Sequence, residues 1–202
     1  MRRFRLTFLA LCLLLLFLGG SDLKTLLQNP APHQVLIQEL KEGEPPGEWL
    51  TVTGGMLDLT EAINMSGSIE FDTFLVPLKQ DRNDHHPRVM VETRDPLISD
   101  LLATYYFKLD SEAAREKFLD ENRSRFYQRG DVTGMLAGGL VASGNRDKLM
   151  TLTEQLGKKL PDDVLFLSEG KSPARWRGYV FTAIGLIGSV QVLRRGKHKP
   201  AV

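Results

Sequence analysis

The sequence predicts an α+β protein: a small antiparallel β-barrel-like domain, OB-like in its strand order, exported between two transmembrane helices. Three observations carry that prediction. Two apolar stretches bracket the 202-residue chain. Basic residues flank each stretch on the side away from the middle. Between them the pattern turns to the period-two alternation of strands, interrupted by helical segments.

Residues 1–5 are a basic tip carrying Arg2, Arg3 and Arg5, and residues 6–22 are the first span, nearly solid leucine from Leu11 to Leu18. The apolar run is shorter than the ~20 residues that cross a hydrocarbon core, so Phe4 and the snorkelling arginines must extend it. The competing reading is a cleaved secretory signal, with a basic start, a short apolar run and small Gly19 and Gly20. Leu18 stands where cleavage wants a small residue, which favours a retained anchor. Leu9-Ala10-Leu11-Cys12 has the outline of a lipoprotein box, but bulky Leu11 fills the position before the cysteine. Cys12 is the only cysteine, so no intrachain disulfide forms and the exported part must hold together by packing.

Residues 23–48 read as a stalk or linker, with breaker clusters at Asn29-Pro30-Ala31-Pro32 and Gly43-Glu44-Pro45-Pro46-Gly47 around a short apolar stretch from Val35 to Leu40. Residues 49–172 form the exported β-rich domain. Trp49 to Leu59 alternates as one strand with a bulge at Gly54-Gly55, Ser68 to Leu78 as a second, and Arg88 to Thr93 as a third. Short connections predict an antiparallel meander.

Leu97, Leu101, Leu102, Tyr105 and Tyr106 then repeat at helical spacing, and Ser111 can cap a second helix. Strands resume over 131–142 and 164–167, with a short helix over 145–156 between them. Three strands, a helix, a strand, a small helix and a last strand is the order of the OB barrel, with a generic α+β sandwich as the alternative.

Residues 176–193 are the second span and 194–202 a basic cytoplasmic tail with Arg194, Arg195, Lys197 and Lys199. Trp176 and Tyr179 suit a membrane interface. Gly185 and Ser189, four apart, with Gly178 and Thr182, put small residues along one face where a second helix can approach closely. Lysine and arginine at span ends stay on the cytoplasmic side, so both termini are expected in the cytoplasm and the middle outside it. In a bacterial host the membrane is the inner one.

In outline this arrangement resembles two families with a β-rich domain between two spans. One is the surfeit-locus cytochrome oxidase assembly factors. The other is the intermembrane domain of the mitochondrial ubiquitin ligases, through Arg129-Gly130-Asp131-Val132-Thr133-Gly134 leading into a strand and Arg175-Trp176-Arg177 entering the last span. The ligases' cysteine-rich ring and the assembly factors' Arg-Gly-Trp segment are missing from the sequence, so no functional residue is carried over from either.

The net charge of +1 leaves the exported part mildly acidic once the basic tips are removed, which argues against nucleic acid. Asp84, His85 and His86 are the best metal-like group, although adjacent histidines do not readily face one ion. Asp58, Glu61, Glu70 and Asp72 can supply paired carboxylates, and Glu70 and Asp72 share a strand face. Along the third strand Arg88, Glu92 and Arg94 form a polar face opposite Val89 and Val91 that reads as facing water, with contact to a partner as the alternative.

No catalytic constellation stands out, and no cofactor is expected. The chain therefore reads as a non-enzymatic integral membrane protein whose exported domain binds or scaffolds a partner membrane complex. Its partners are the lipid bilayer and another membrane protein. The alternatives are a membrane-tethered hydrolase or transferase using Glu70 and Asp72, and a metal carrier or sensor through His85 and His86.

Overall fold

Gly54, at φ +74°, ends what alternation alone makes one long strand. That backbone conformation is left-handed and costs glycine little, so the chain turns sharply here. It leaves β2 (Trp49–Thr53) and resumes as β3 (Met56–Asp58). The computed structural model describes residues 2–64, 74–137, 147, 149–151, 153–154, 157 and 160–197. They fall into two units, one of residues 31–172 and one of the terminal segments 1–30 and 173–202.

In the first unit the remaining strands are β1 (His33–Leu36), β4 (Ile63–Asn64), β5 (Phe74–Lys79), β6 (Val89–Thr93), β7 (Tyr127–Arg129), β8 (Val132–Leu136) and β9 (Leu165–Glu169). The sheet runs β1-β2-β8-β9-β6-β5-β3-β7, with β4 paired to β5 off that path. Pairs β1–β2 and β6–β9 are parallel, and the others antiparallel. The expected closed barrel and simple meander are therefore corrected to an open, mixed, nine-stranded sheet.

Geometry still makes that sheet curl. Strands β2 and β3 lie five steps apart along it, about 24 Å if it were flat, at roughly 4.8 Å per step. The link from Thr53 to Met56 reaches about 11 Å at most. The strands must bend round to bring β2 and β3 near, yet the two do not pair with each other.

Residues 33–42, expected in a stalk, belong to this unit. β1 pairs with β2 from His33↔Leu50 to Leu36↔Thr53, and Ile37 and Leu40 of α2 (Ile37–Glu42) are buried. The apolar stretch between two breaker clusters is thus an edge strand and a core-facing turn of helix.

The central strands are buried on both faces. Phe74, Val76, Leu78, Val89, Val91 and Leu167 enter the larger core. Leu75, Met90 and Phe166 alternate with them into a smaller cluster with Ile63, Leu149 and Val164. The larger core is capped by α3 (Pro96–Ala103), a π-helical turn over Thr104–Lys108, α4 (Glu112–Glu121) and α5 (Arg123–Phe126). Asp95 caps α3 by accepting from the Leu97 amide, and Ser111 caps α4 by accepting from the Ala114 amide. Fully buried Phe126 packs edge-on against Tyr105 and Phe118.

The second unit pairs α1 (Arg2–Gln28) with α6 (Arg175–Lys197). At 27 residues α1 is about 40 Å long, so the short apolar run lies within a helix long enough for a bilayer. Among the described residues it is the one helix long and apolar enough to cross a membrane. The expected second span does not reach that level, because glycines, Ser189 and Gln191 dilute its apolar residues.

Candidate functional site

The most developed polar site grows from the end of β3. Asp58 closes the turn Leu59–Glu61, accepting from the Thr60 amide at 3.1 Å. That turn brings Glu61 back beside the end of β5, where Lys79 pairs with Met56. Every residue of β5 is buried, Lys79 included, with its side chain 1 % exposed. A buried ammonium requires compensation. It donates to Asp58 Oδ2 at 2.9 Å and pairs with Glu61 Oε1 at 2.7 Å. Burial by itself would lower the Lys79 pKa. The hydrogen bonds and charges of Glu61 and Asp58 outweigh burial and hold it above the usual lysine range. Tyr106, from the π-helical turn, donates to the Thr60 carbonyl at 3.1 Å, and burial raises its phenol pKa, reinforced by Tyr105 and Asp58.

Glu61 also lines a groove of about 310 Å³ on the smaller-cluster face of the sheet. Its apolar walls include Ile63, Pro77, Met90 and Leu160, and His85 and His86 stand with Glu61 as its polar lining. The structure thus brings Asp58 and Glu61 together around Lys79, which the sequence reading did not single out. The available signal was an uninterrupted apolar run, Phe74 to Leu78, leading directly into Lys79.

The metal-like group is not assembled. Buried Asp84 is taken by Lys41 Nζ at 2.7 Å and by the amides of Gln80 and His86 at 3.3 and 3.4 Å. Burial would raise its pKa, but Lys41 and those amides lower it below the usual value. His85 and His86 are exposed in the groove. Among the described residues no three His, Cys, Asp or Glu side chains are placed to hold a metal ion. Glu70 and Asp72, the candidate acid/base pair, lie outside the described residues, as does Lys199.

The polar face expected on β6 does not simply meet water. Glu92 is buried and faces Ser168 of the parallel strand β9, whose hydroxyl donates to Glu92 Oε2. Lys171 Nζ lies 3.4 Å from the same oxygen and 3.2 Å from Ser168 Oγ, and Arg94 donates to Oε1 at 3.1 Å. Arg88 holds the end of α2 through the Leu40 and Gly43 carbonyls at 2.6 and 2.7 Å. A serine, a lysine and a carboxylate stand within hydrogen-bond reach, but the Ser168 proton is committed to a buried acid.

In the helix pair, the small residues of α6 lie against α1. A Cβ on Gly185 would fall 2.7 Å from Leu16 Cγ and 2.9 Å from the Cys12 carbonyl, so glycine is what permits this approach. Gly178 meets Asp22 and Leu23, and Gly188 meets Cys12 and Phe8, which makes the helices antiparallel. Ser189 Oγ and Thr182 Oγ1 are buried without a hydrogen-bond partner among the described residues. Arg177 forks onto Asp22 with bonds of 2.7 and 2.8 Å, a clasp the sequence reading missed. Trp176 and Tyr179 are exposed at that end of the pair. Arg5 and Arg194 are exposed at the other, where the backbones of Arg2, Arg3, Arg195 and Lys197 also lie.

No protein family, curated protein or solved structure matches the chain. The likeness to the assembly factors and the ligases therefore remains one of outline.

Proposed function

We propose that this is a non-enzymatic integral membrane protein. In this reading α1 and α6 insert together as a membrane hairpin, both termini face the cytoplasm, and residues 31–172 form an extracytoplasmic unit. That unit binds or scaffolds a partner membrane complex.

One observation carries the reading. The outward surface of the helix pair is lined by large apolar side chains, among them Leu6, Phe17, Ile184 and Ile187, each more than half exposed. A protein dissolved in water rarely leaves so extended an apolar surface bare, whereas acyl chains accept it. Antiparallel pairing also gathers the basic residues of both termini at one end, as cytoplasmic retention of lysine and arginine requires. The close packing of Gly185 and Gly188 against Leu16 and Cys12 supports a retained anchor over a cleaved signal.

The test combines alkaline extraction with photo-crosslinking. The full chain should stay in the membrane pellet, and crosslinkers at exposed positions of the sheet unit, such as Asn83 and Glu169, should trap one defined membrane protein. Extraction into the soluble fraction would refute the anchors. Crosslinks to no membrane protein would refute the scaffold role.

A further inference from the structure

We propose that the groove beside Glu61 binds a small organic ammonium ion carrying an apolar group.

The charge balance selects the sign. Lys79 contributes +1, Asp58 −1 and Glu61 −1, so the three together carry one uncompensated negative charge. The lysine is buried with Asp58, while the Glu61 side chain is 54 % exposed. A ligand in the groove therefore meets the carboxylate before it meets the ammonium. Because Lys79 takes Glu61 Oε1, the carboxylate is already fixed in place before a ligand arrives. An ammonium placed there gains a charge-assisted hydrogen bond without the cost of ordering its acceptor.

The walls select the body of the ligand. Ile63, Pro77, Met90 and Leu160 offer hydrocarbon, and prolines offer no side-chain donor. A cavity of about 310 Å³ lies at the small end of ligand sites, which typically combine apolar walls with a few fixed polar groups. His85 and His86 add two imidazoles able to hydrogen-bond a second polar atom on the guest. A carboxylate ligand would face Glu61, and a metal ion finds no converging third ligand among the described residues. This inference is independent of the membrane anchoring, since it concerns the groove and not the helix pair.

The test titrates the full chain in detergent micelles with benzylammonium, benzoate and neutral benzyl alcohol, following methyl-labelled Met90 and the His85 and His86 ring protons by NMR. Benzylammonium should shift all three saturably and at least tenfold more tightly than either other probe. Glu61→Gln, verified as folded by its melt, should lose about tenfold in benzylammonium affinity and leave benzyl alcohol unchanged. Absence of saturable shifts with benzylammonium in the wild-type chain would overturn the inference, with no variant needed. So would equal affinity for benzoate, or an unaltered affinity in Glu61→Gln.

Discussion

Lys79 Nζ and Asp58 Oδ2 lie 2.9 Å apart with both side chains at 5 % exposure or less. Their contact joins the ends of adjacent strands β3 and β5 across 21 residues of sequence. Removing Lys79 leaves Asp58 buried without its counter-charge, which typically costs about 3–5 kcal/mol, whereas removing Asp58 leaves Lys79 with Glu61 alone and costs less. Lys79→Met should therefore unfold at clearly lower denaturant than wild type. The double variant Asp58→Asn with Lys79→Met should recover part of the loss, measured by chemical denaturation in detergent. Equal losses in the single and double variants would show that the charges do not compensate each other.

Alkaline pH should separate this site from the rest of the molecule. The Lys79 pKa is raised in the folded state, so its stabilisation is complete below the ordinary value of 10.5 and is lost as pH rises through the folded value. Tyr106, also raised, adds loss above its ordinary 10.0, because the unfolded chain ionises first. Melting temperature should fall above about pH 10. Lys79→Met should flatten part of that fall.

Acid acts through a different residue. The Asp84 pKa is lowered when folded, so its contribution is present above the ordinary 3.8 and lost as pH falls through the folded value. Lys41→Met should lose stability at pH 7 by about 1 kcal/mol, the scale of a charge pair with one partner 29 % exposed. It should also lose less on acidification than wild type does. Denaturation curves at pH 7 and pH 3 test both.

Helix pairing has a covalent readout. A Cβ at residue 188 would abut Cys12 Sγ, whereas Ile187 is 63 % exposed on the outer surface. Under mild oxidation Gly188→Cys should crosslink to Cys12 and Ile187→Cys should not. The readout is a single band that survives proteolytic cutting between the two helices. Equal crosslinking by both variants would contradict the observed face.

In the larger core, Phe126 is fully buried among Tyr105 and Phe118. Phe126→Ala should cost about 3–5 kcal/mol from lost transfer and the cavity left behind.

Local signals were legible and long-range ones were not. The apolar N-terminal helix, the helical stretch after Pro96 and the Ser111 cap follow from periodicity and from a residue type at one position. Strand partnership does not, because alternation gives a strand's faces but not its neighbours. Thr51 pairs with Thr133, 82 residues away, while β2 and β3, two residues apart, lie five steps apart in the sheet. Glu92 reads as facing water and Lys79 does not stand out, because hydropathy does not distinguish a compensated buried charge from a wet one. Their partners Asp58, Glu61 and Ser168 become visible only once the strands are aligned.

The most direct test of the two-anchor account is maleimide accessibility in intact cells. It uses full-length chains in which Cys12→Ser is combined with a single cysteine at Ser172 or at Val202. The account predicts that an impermeant maleimide labels position 172 from outside and position 202 only after the membrane is opened. Labelling of position 202 in intact cells, or protection of position 172, would contradict it.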